Sequence, residues 1–272
     1  MFTKNTSKSQ EWNEDKFIKN VVDDCDPDMS EEALKFYREF FTEYFDETNN
    51  LNLYYRGDCM NSLGWTFGKE NKEGSFKPYK RSYTRLFTQE DIELFYKFRK
   101  QYHSKSNFII IPHGLNIWRG ECRQGDNDNN GYGTCDYFDI LLGLIRKYYY
   151  QENMNKRMLK YIEPYEKWLD SYGDREVGWK TFIKQNYLLP FVNENYQVKD
   201  IFANESIYKN NNCNELLGEH HDFDWCLPRC SKNGEEVTLE VAKQRTVNYM
   251  KNSIWIWNER SVLLLESQKV NW

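Results

Sequence analysis

Aromatic side chains constrain the fold of this chain more than any other feature of its sequence. The 272 residues include 17 Phe, 20 Tyr and 9 Trp, but only three Ala. Large flat side chains must therefore provide the burial that small aliphatic residues provide in most domains. One core cannot comfortably hide so many rings, so we expect some Tyr and Trp side chains at the surface, where such residues anchor protein interfaces.

The charge and hydropathy of the chain exclude two function classes. Lys and Arg number 37 while Asp and Glu number 42, so the formal net charge is −5 and a basic surface for nucleic acid is not expected. No run of about 18 apolar residues predicts a transmembrane helix. Residues 1–5 contain no apolar signal-peptide core, so we expect a cytoplasmic protein whose seven cysteines are mostly free thiols.

Hydrophobic periodicity predicts an α+β class, a helix-rich single domain around a small β-sheet. Residues 1–30 form a polar N-terminal arm, and residues 31–272 form the domain, with a Cys/His-containing insertion at about 204–235. The continuous apolar run at 107–112 predicts a buried strand. Helices are predicted at 31–46, 88–103, 136–150, 155–172, 174–189 and 235–265. Two further strands are predicted, one at 51–56 that ends at Gly57 and one at 115–119 that pairs with 107–112.

Two carboxylates and two arginines are the best candidates for catalysis. Asp136 and Asp139 lie in the first turn of a predicted helix, and Arg56 and Arg119 each end a predicted strand. Together they could act in acid–base or metal chemistry. The alternative is that the carboxylates cap the helix and offset its dipole. No phosphate-binding loop, nucleophile elbow or HExxH motif is present.

Two segments carry the residue types that bind metal ions. Cys213, one of His220 and His221, Cys226 and Cys230 could form a closed structural zinc site, or they could be ordinary residues of an Asn-rich loop. Asp126, Asp128 and Asn130, followed by Gly131, match the first half of a calcium loop. However, Tyr137 stands where a bidentate Glu is required, and a solvated turn is the alternative.

The C-terminal tryptophans are the candidate residues for binding a partner. Trp255 and Trp257 cannot lie on the same face of one helix, so one of them is expected to be available to a partner protein. The terminal Trp272 is a third candidate. Surplus aromatic surface also favours homo-oligomerisation.

The central motifs resemble a family of bacterial and prophage proteins whose domain has no assigned function. That family has a strand ending in Pro-x-Gly, here at 108–114, followed by an Asp-x-Phe-Asp helix, here beginning at Asp136. The resemblance extends over about residues 34–260, through Trp179, Leu227-Pro228 and Arg260. It implies no catalytic residues. The segments 126–131 and 204–230 are not part of the family pattern, so each is expected to be a local addition.

These observations predict a non-enzymatic protein-binding protein. We expect a phage- or prophage-encoded inhibitor that occludes a host anti-phage defence complex, such as a Gabija-type nuclease complex, in the bacterial cytoplasm. The excess of Asn, Lys, Tyr, Phe and Ile fits AT-rich coding sequence, which is common in such genomes. One alternative is a metal-assisted hydrolase or nucleotide-modifying enzyme that uses Asp136 and Asp139 with Arg119. Another is a structural module held by zinc, with no other cofactor.

Overall fold

A helix-rich α+β domain is the architecture of this chain, as predicted. The structure is a computed structural model and describes residues 27–61, 68–70, 76–78, 83–116, 137–152, 162–210 and 238–270. The strands are β1 (Tyr55–Cys59), β2 (Gly68–Glu70), β3 (Phe76–Pro78) and β4 (Phe108–Pro112), and the helices include α1 (Glu31–Phe40), α2 (Gln89–Gln101), α3 (Phe138–Tyr150), α4 (Glu166–Asp170), α5 (Arg175–Gln185), α6 (Glu205–Lys209) and α7 (Leu239–Val270).

The central sheet consists of β1 and β4 in antiparallel register, with Gly57 opposite Ile110 and Cys59 opposite Phe108. All five residues of β4 are buried, which confirms the strand predicted from the apolar run. The predicted partner strand at 115–119 is wrong, because 113–116 is helical and β4 pairs with β1 instead. Strands β2 and β3 form a separate antiparallel pair.

Gly57 lies inside β1, although it was expected to end a strand. A Cβ atom at this position would lie 2.3 Å from the backbone oxygen of Asp28 and 2.4 Å from the Tyr37 hydroxyl oxygen. Two neighbouring segments therefore occupy the space that any side chain would need. The glycine permits close packing within the strand.

Capping residues set the starts of two of the predicted helices. The Ser30 hydroxyl accepts a hydrogen bond from the backbone amide of Ala33, 3.3 Å away. Thr88 and Asp91 form a reciprocal capping box at the start of α2.

None of the described helices is both long and apolar enough to cross a lipid bilayer.

Several helices are shorter than the periodicity predicts. Helix α1 ends at Phe40 because Phe41 leaves the helical conformation, and a 3₁₀ turn follows at Thr42–Tyr44. Pro164 lies in another 3₁₀ turn, Glu163–Tyr165, and α4 then spans only Glu166–Asp170. Gly173, at a φ of 106°, separates α4 from α5.

Aromatic rings build the core, as their number requires. The largest fully buried side chains include Trp179, Trp257 and Phe108. Edge-to-face pairs join separate elements, for example Trp168 with Phe182, whose ring centroids are 5.6 Å apart. Among the residues whose burial the structure describes, Tyr54 is the one exposed aromatic residue.

Arg260, near the middle of α7, is completely buried. Its Nη1 donates to the carbonyl oxygens of Ser106 (2.9 Å) and Phe108 (2.7 Å). Its Nη2 donates to the carbonyl oxygen of Asn186 at 3.2 Å. The guanidinium therefore joins α7 to the start of β4 and to the end of α5.

Replacing Arg260 by lysine should destabilise the fold strongly. Lysine cannot reproduce the planar fork of donors, so buried carbonyl oxygens lose their partners next to a buried charge. We expect Arg260→Lys to lower the free energy of unfolding by roughly 3–5 kcal/mol in denaturant titrations. The matched control is Arg38→Lys, since Arg38 makes one exposed hydrogen bond, to the Asn49 carbonyl oxygen, and should lose under about 1 kcal/mol. Equal losses in the two variants would contradict this role.

Candidate functional site

Asp139, the predicted catalytic carboxylate, is enclosed in the core at the start of α3. Its side chain has no exposed surface. Its Oδ2 accepts a hydrogen bond from the backbone amide of Ile201 at 3.1 Å, and its Oδ1 has no hydrogen-bond partner within the described residues. Burial, with a smaller contribution from the negative charge of Asp200, raises the pKa of Asp139 to about 8. The group is thus mostly protonated at neutral pH and inaccessible to an external substrate.

The segment that contacts Asp139 is also held from α7. Asn248 donates to the carbonyl oxygen of Phe202 at 3.0 Å, and Asn252 donates to the carbonyl oxygens of Ile201 (2.8 Å) and Ala203 (2.9 Å). These hydrogen bonds satisfy backbone groups that would otherwise be buried without partners. The role that this geometry supports for Asp139 is to fix the backbone after Asp200.

The other residues of the predicted catalytic set are not brought to Asp139 by the described structure. Arg56 lies inside β1 opposite Ile111, rather than at the end of a strand. Asp136 and Arg119 lie outside the described residues. So do both predicted metal sites, namely Cys213, His220, His221, Cys226 and Cys230 for zinc and Asp126, Asp128 and Asn130 for calcium.

The two predicted partner-binding tryptophans of α7 differ in exposure. Trp257 is 1% exposed and packs against Phe98, with ring centroids 4.8 Å apart, so it offers no surface to a partner. Trp255 is half-buried, and Lys199 Nζ lies 4.9 Å from the centroid of its ring. Trp272 lies outside the described residues.

The predicted insertion at 204–235 begins with packed structure. Residues Glu205–Lys209 form α6, and the fully buried Tyr208 packs edge-to-face on Trp255. The start of this segment is therefore helical, and Tyr208 anchors it to α7. The remainder, 211–235, lies outside the described residues.

An exposed apolar turn, which no sequence motif indicates, precedes β1. Leu53 is 93% exposed and Tyr54 is 43% exposed. We use the name 52–55 turn for this turn together with the residue on either side of it, the second of which, Tyr55, is the first residue of β1. The Asn52 side chain accepts from the Tyr54 amide at 2.9 Å, and the Asn52 carbonyl accepts from the Tyr55 amide at 2.9 Å. The backbone is thus fixed while the Leu53 side chain points into solvent.

Contacts on both sides hold the 52–55 turn in place. The Asn52 amide donates to the Tyr44 carbonyl oxygen at 3.0 Å, and the His113 amide donates to the Tyr54 carbonyl oxygen at 2.8 Å. The Tyr55 ring lies edge-on to Tyr44, with centroids 4.6 Å apart. The pattern of apolar and polar residues predicts a strand at 51–56, but residues 53 and 54 form a turn and β1 begins only at Tyr55. The exposure of Leu53 could therefore not be predicted from this pattern.

A second group that sequence reasoning missed consists of Asp28, Cys59 and His103, which we call the Asp28–Cys59–His103 cluster. One potential metal-ligand atom from each residue lies within 4.8 Å of the other two. The Cys59 Sγ atom is 2.9 Å from Asp28 Oδ1 and 3.3 Å from the Tyr102 carbonyl oxygen. The three residues are far apart in sequence, so no spacing motif signals the cluster.

The electrostatics of this cluster disfavour a nucleophilic thiolate. A carboxylate oxygen adjacent to the sulfur makes ionisation of the thiol more costly, whereas catalytic cysteines require positive surroundings. Burial raises the pKa of Tyr37 well above its usual value, the charges of Asp28, Asp58 and an ionised Cys59 raise it further, and the positive charge of Arg260 lowers it. A cation at the cluster would therefore be attracted by Asp28 and repelled by the Arg260 guanidinium.

Comparisons with known proteins leave the function to be argued from these sites. No protein-family model, curated protein or solved structure matches the chain. The resemblance to a bacterial and prophage family accordingly stays a prediction.

The buried carboxyl group of Asp139 predicts a specific pH dependence of stability. Its folded-state pKa of about 8 lies above the 3.8 that is usual for an aspartate, so the folded protein binds more protons at this group than the unfolded chain. Stability must therefore fall as pH rises from 4 towards 8. Asp139→Asn keeps an acceptor for the Ile201 amide but cannot ionise. We expect its free energy of unfolding to rise relative to wild type by on the order of 1 kcal/mol per pH unit in this range.

Asp91 provides a control of opposite sign. Partial burial opposes its ionisation, but hydrogen bonds from Lys243 and Thr88 lower the pKa of its carboxyl group overall. Its charged form therefore stabilises the fold above the pKa of the unfolded chain. Asp91→Asn should become less stable relative to wild type as pH rises through 4. A pH-independent difference between Asp139→Asn and wild type would contradict the protonated state of Asp139.

Proposed function

We propose that this chain is a non-enzymatic protein that binds another protein through the 52–55 turn. The observation that carries the proposal is the exposure of Leu53 on a backbone held by hydrogen bonds on both sides. Burying one leucine side chain contributes roughly 1.5–3 kcal/mol, and a fixed turn loses little conformational entropy on binding. A rigid apolar anchor is therefore suited to fill a pocket on a partner.

Tyrosines beside Leu53 support the same function. Tyr54 is exposed, and Tyr55 and Tyr165 are half-buried beside it. Desolvation raises the pKa of Tyr165, and the proximity of the Tyr54 hydroxyl raises it further. Tyrosines are enriched at protein interfaces because a ring and a hydroxyl provide both apolar contact and hydrogen bonding. The partner is then expected to offer an apolar pocket with a polar rim.

The partner class that we propose is a host anti-phage defence complex, which the chain would occlude in the bacterial cytoplasm. The net charge of −5 favours a protein partner over DNA, and the composition fits a phage-encoded chain. A Gabija-type nuclease complex is the specific candidate. The hydrolase alternative loses support from Asp139, since that carboxyl group is buried and protonated.

Affinity capture with matched surface variants tests this function. Tagged wild-type chain would be incubated with lysate of a bacterium carrying the defence complex, and captured assemblies would be weighed by native mass spectrometry. We expect a stoichiometric complex whose affinity falls at least about tenfold in Leu53→Asp, since a charge cannot enter an apolar pocket. Circular dichroism and the melting temperature should not change, because Leu53 is exposed.

Val177→Asp is the control for added surface charge. Val177 is 67% exposed near the start of α5, away from the proposed anchor in sequence. This variant should bind the partner like the wild type. Absence of a stoichiometric partner, equal binding by Leu53→Asp, or a homo-oligomer disrupted by that substitution would each contradict the proposed partner.

A further inference from the structure

We propose that Asp28, Cys59 and His103 together bind a zinc ion. The inference is independent of the protein-binding function, because none of the three residues belongs to the 52–55 turn. Three separate segments contribute the ligands: the 3₁₀ turn Pro27–Met29, the last residue of β1, and the residues that follow α2. Zinc at this position would fasten the chain before α1 to the sheet and to the end of α2.

The distances in the cluster fit a tetrahedral ion. Zinc–sulfur bonds of about 2.3 Å and zinc–nitrogen or zinc–oxygen bonds of about 2.0–2.2 Å place ligand atoms about 3.5 Å apart. In this structure the longest separation among the three candidate ligand atoms is no more than 4.8 Å. The sulfur and the Asp28 oxygen are already 2.9 Å apart, which is closer than zinc requires. Binding one ion would require the 2.9 Å pair to separate, and the longest separation to close, by about 1 Å.

The types of ligand favour zinc over harder cations. Thiolate and imidazole bind borderline-soft ions, whereas calcium and magnesium require oxygen ligands. Cys59 is 4% exposed, while Asp28 and His103 are half-buried, so an ion could enter from the side of these two residues. Three protein ligands leave a fourth position for water.

The Cys59 thiol lies beside a carboxylate that could bind the same metal ion. Asp28 Oδ1, 2.9 Å from the sulfur, is the nearer acceptor for the single thiol proton, and the Tyr102 carbonyl oxygen, 3.3 Å away, also accepts from Asn107 Nδ2 at 2.6 Å. On zinc binding, the thiol loses that proton to solvent and the sulfur donates an electron pair to the ion. The Asp28 carboxylate then contacts the cation instead of accepting from a weak donor.

The buried hydroxyl group of Tyr37 lies next to the cluster. Tyr37 is fully buried, and its hydroxyl has no hydrogen-bond partner within the described residues. It lies against the Cβ position of Gly57, which is two residues before Cys59 and therefore on the same face of β1. Buried hydroxyls normally find a partner, and water on the fourth zinc position would supply one.

Cobalt substitution of the full chain tests this site, because Co²⁺ reports thiolate ligation by its charge-transfer absorption. Wild-type protein, stripped with a chelator, would be titrated with Co²⁺ and then with Zn²⁺, which should displace it. We expect a cobalt–thiolate band that Cys59→Ser abolishes and that His103→Gln weakens at least tenfold in affinity. Zinc at hundredfold excess over its dissociation constant should raise the wild-type melting temperature by about 5–10 °C.

The double variant Cys226→Ser/Cys230→Ser separates this site from the zinc site that the sequence predicts at 213–230. It should retain the Cys59-dependent band and the zinc-induced melting shift. Cys59→Ser without metal should melt like chelator-treated wild type, which shows that it folds. No cobalt–thiolate band in wild type, or a band that survives Cys59→Ser and His103→Gln but disappears in the double variant, would overturn the proposal.

Discussion

The buried guanidinium of Arg260 is the interaction on which the rest of the described structure depends. No carboxylate pairs with it within the described residues, so backbone carbonyl oxygens alone compensate for its desolvation. Burial lowers the pKa of Arg260 to about 9, and the group therefore stays charged at neutral pH. A buried charge is costly when its partners move, so α7 fixes the start of β4 and the end of α5 in one arrangement. Because β4 pairs with β1, the same contacts set the positions of both candidate sites.

Local sequence patterns predicted the elements better than their partners. The apolar run of β4 and the start of α2 at Thr88 and Asp91 depend on neighbouring residues, and the predicted strand and helix are both confirmed. The pairing of β4 with β1 depends on contacts between residues about 50 positions apart, which no local pattern encodes. Gly57 illustrates the same limit. A glycine usually interrupts a strand, but here Asp28 and Tyr37 fill the space beside it and make it necessary.

The surroundings of Asp139 and the Asp28–Cys59–His103 cluster could not be predicted from the sequence, for related reasons. Asp139 has the pattern of a helix-capping or catalytic carboxylate, and only the packing around Ile201 shows that it is enclosed. The Asp28–Cys59–His103 cluster joins residues from three segments, so it has no motif spacing. The composition was more informative. The aromatic surplus correctly predicted a ring-built core, and all three alanines are buried where the larger side chains leave little space.

The two proposed sites lie at opposite ends of one strand. The 52–55 turn leads into β1 at Tyr55, and Cys59 ends it. Four residue steps at about 3.4 Å each separate those positions by roughly 14 Å, too far for the zinc ion to contact the Leu53 side chain. Zinc would hold the end of β1 in place, while Leu53 would supply contact area. Metal binding and partner binding are therefore expected to be energetically separate properties of the same strand.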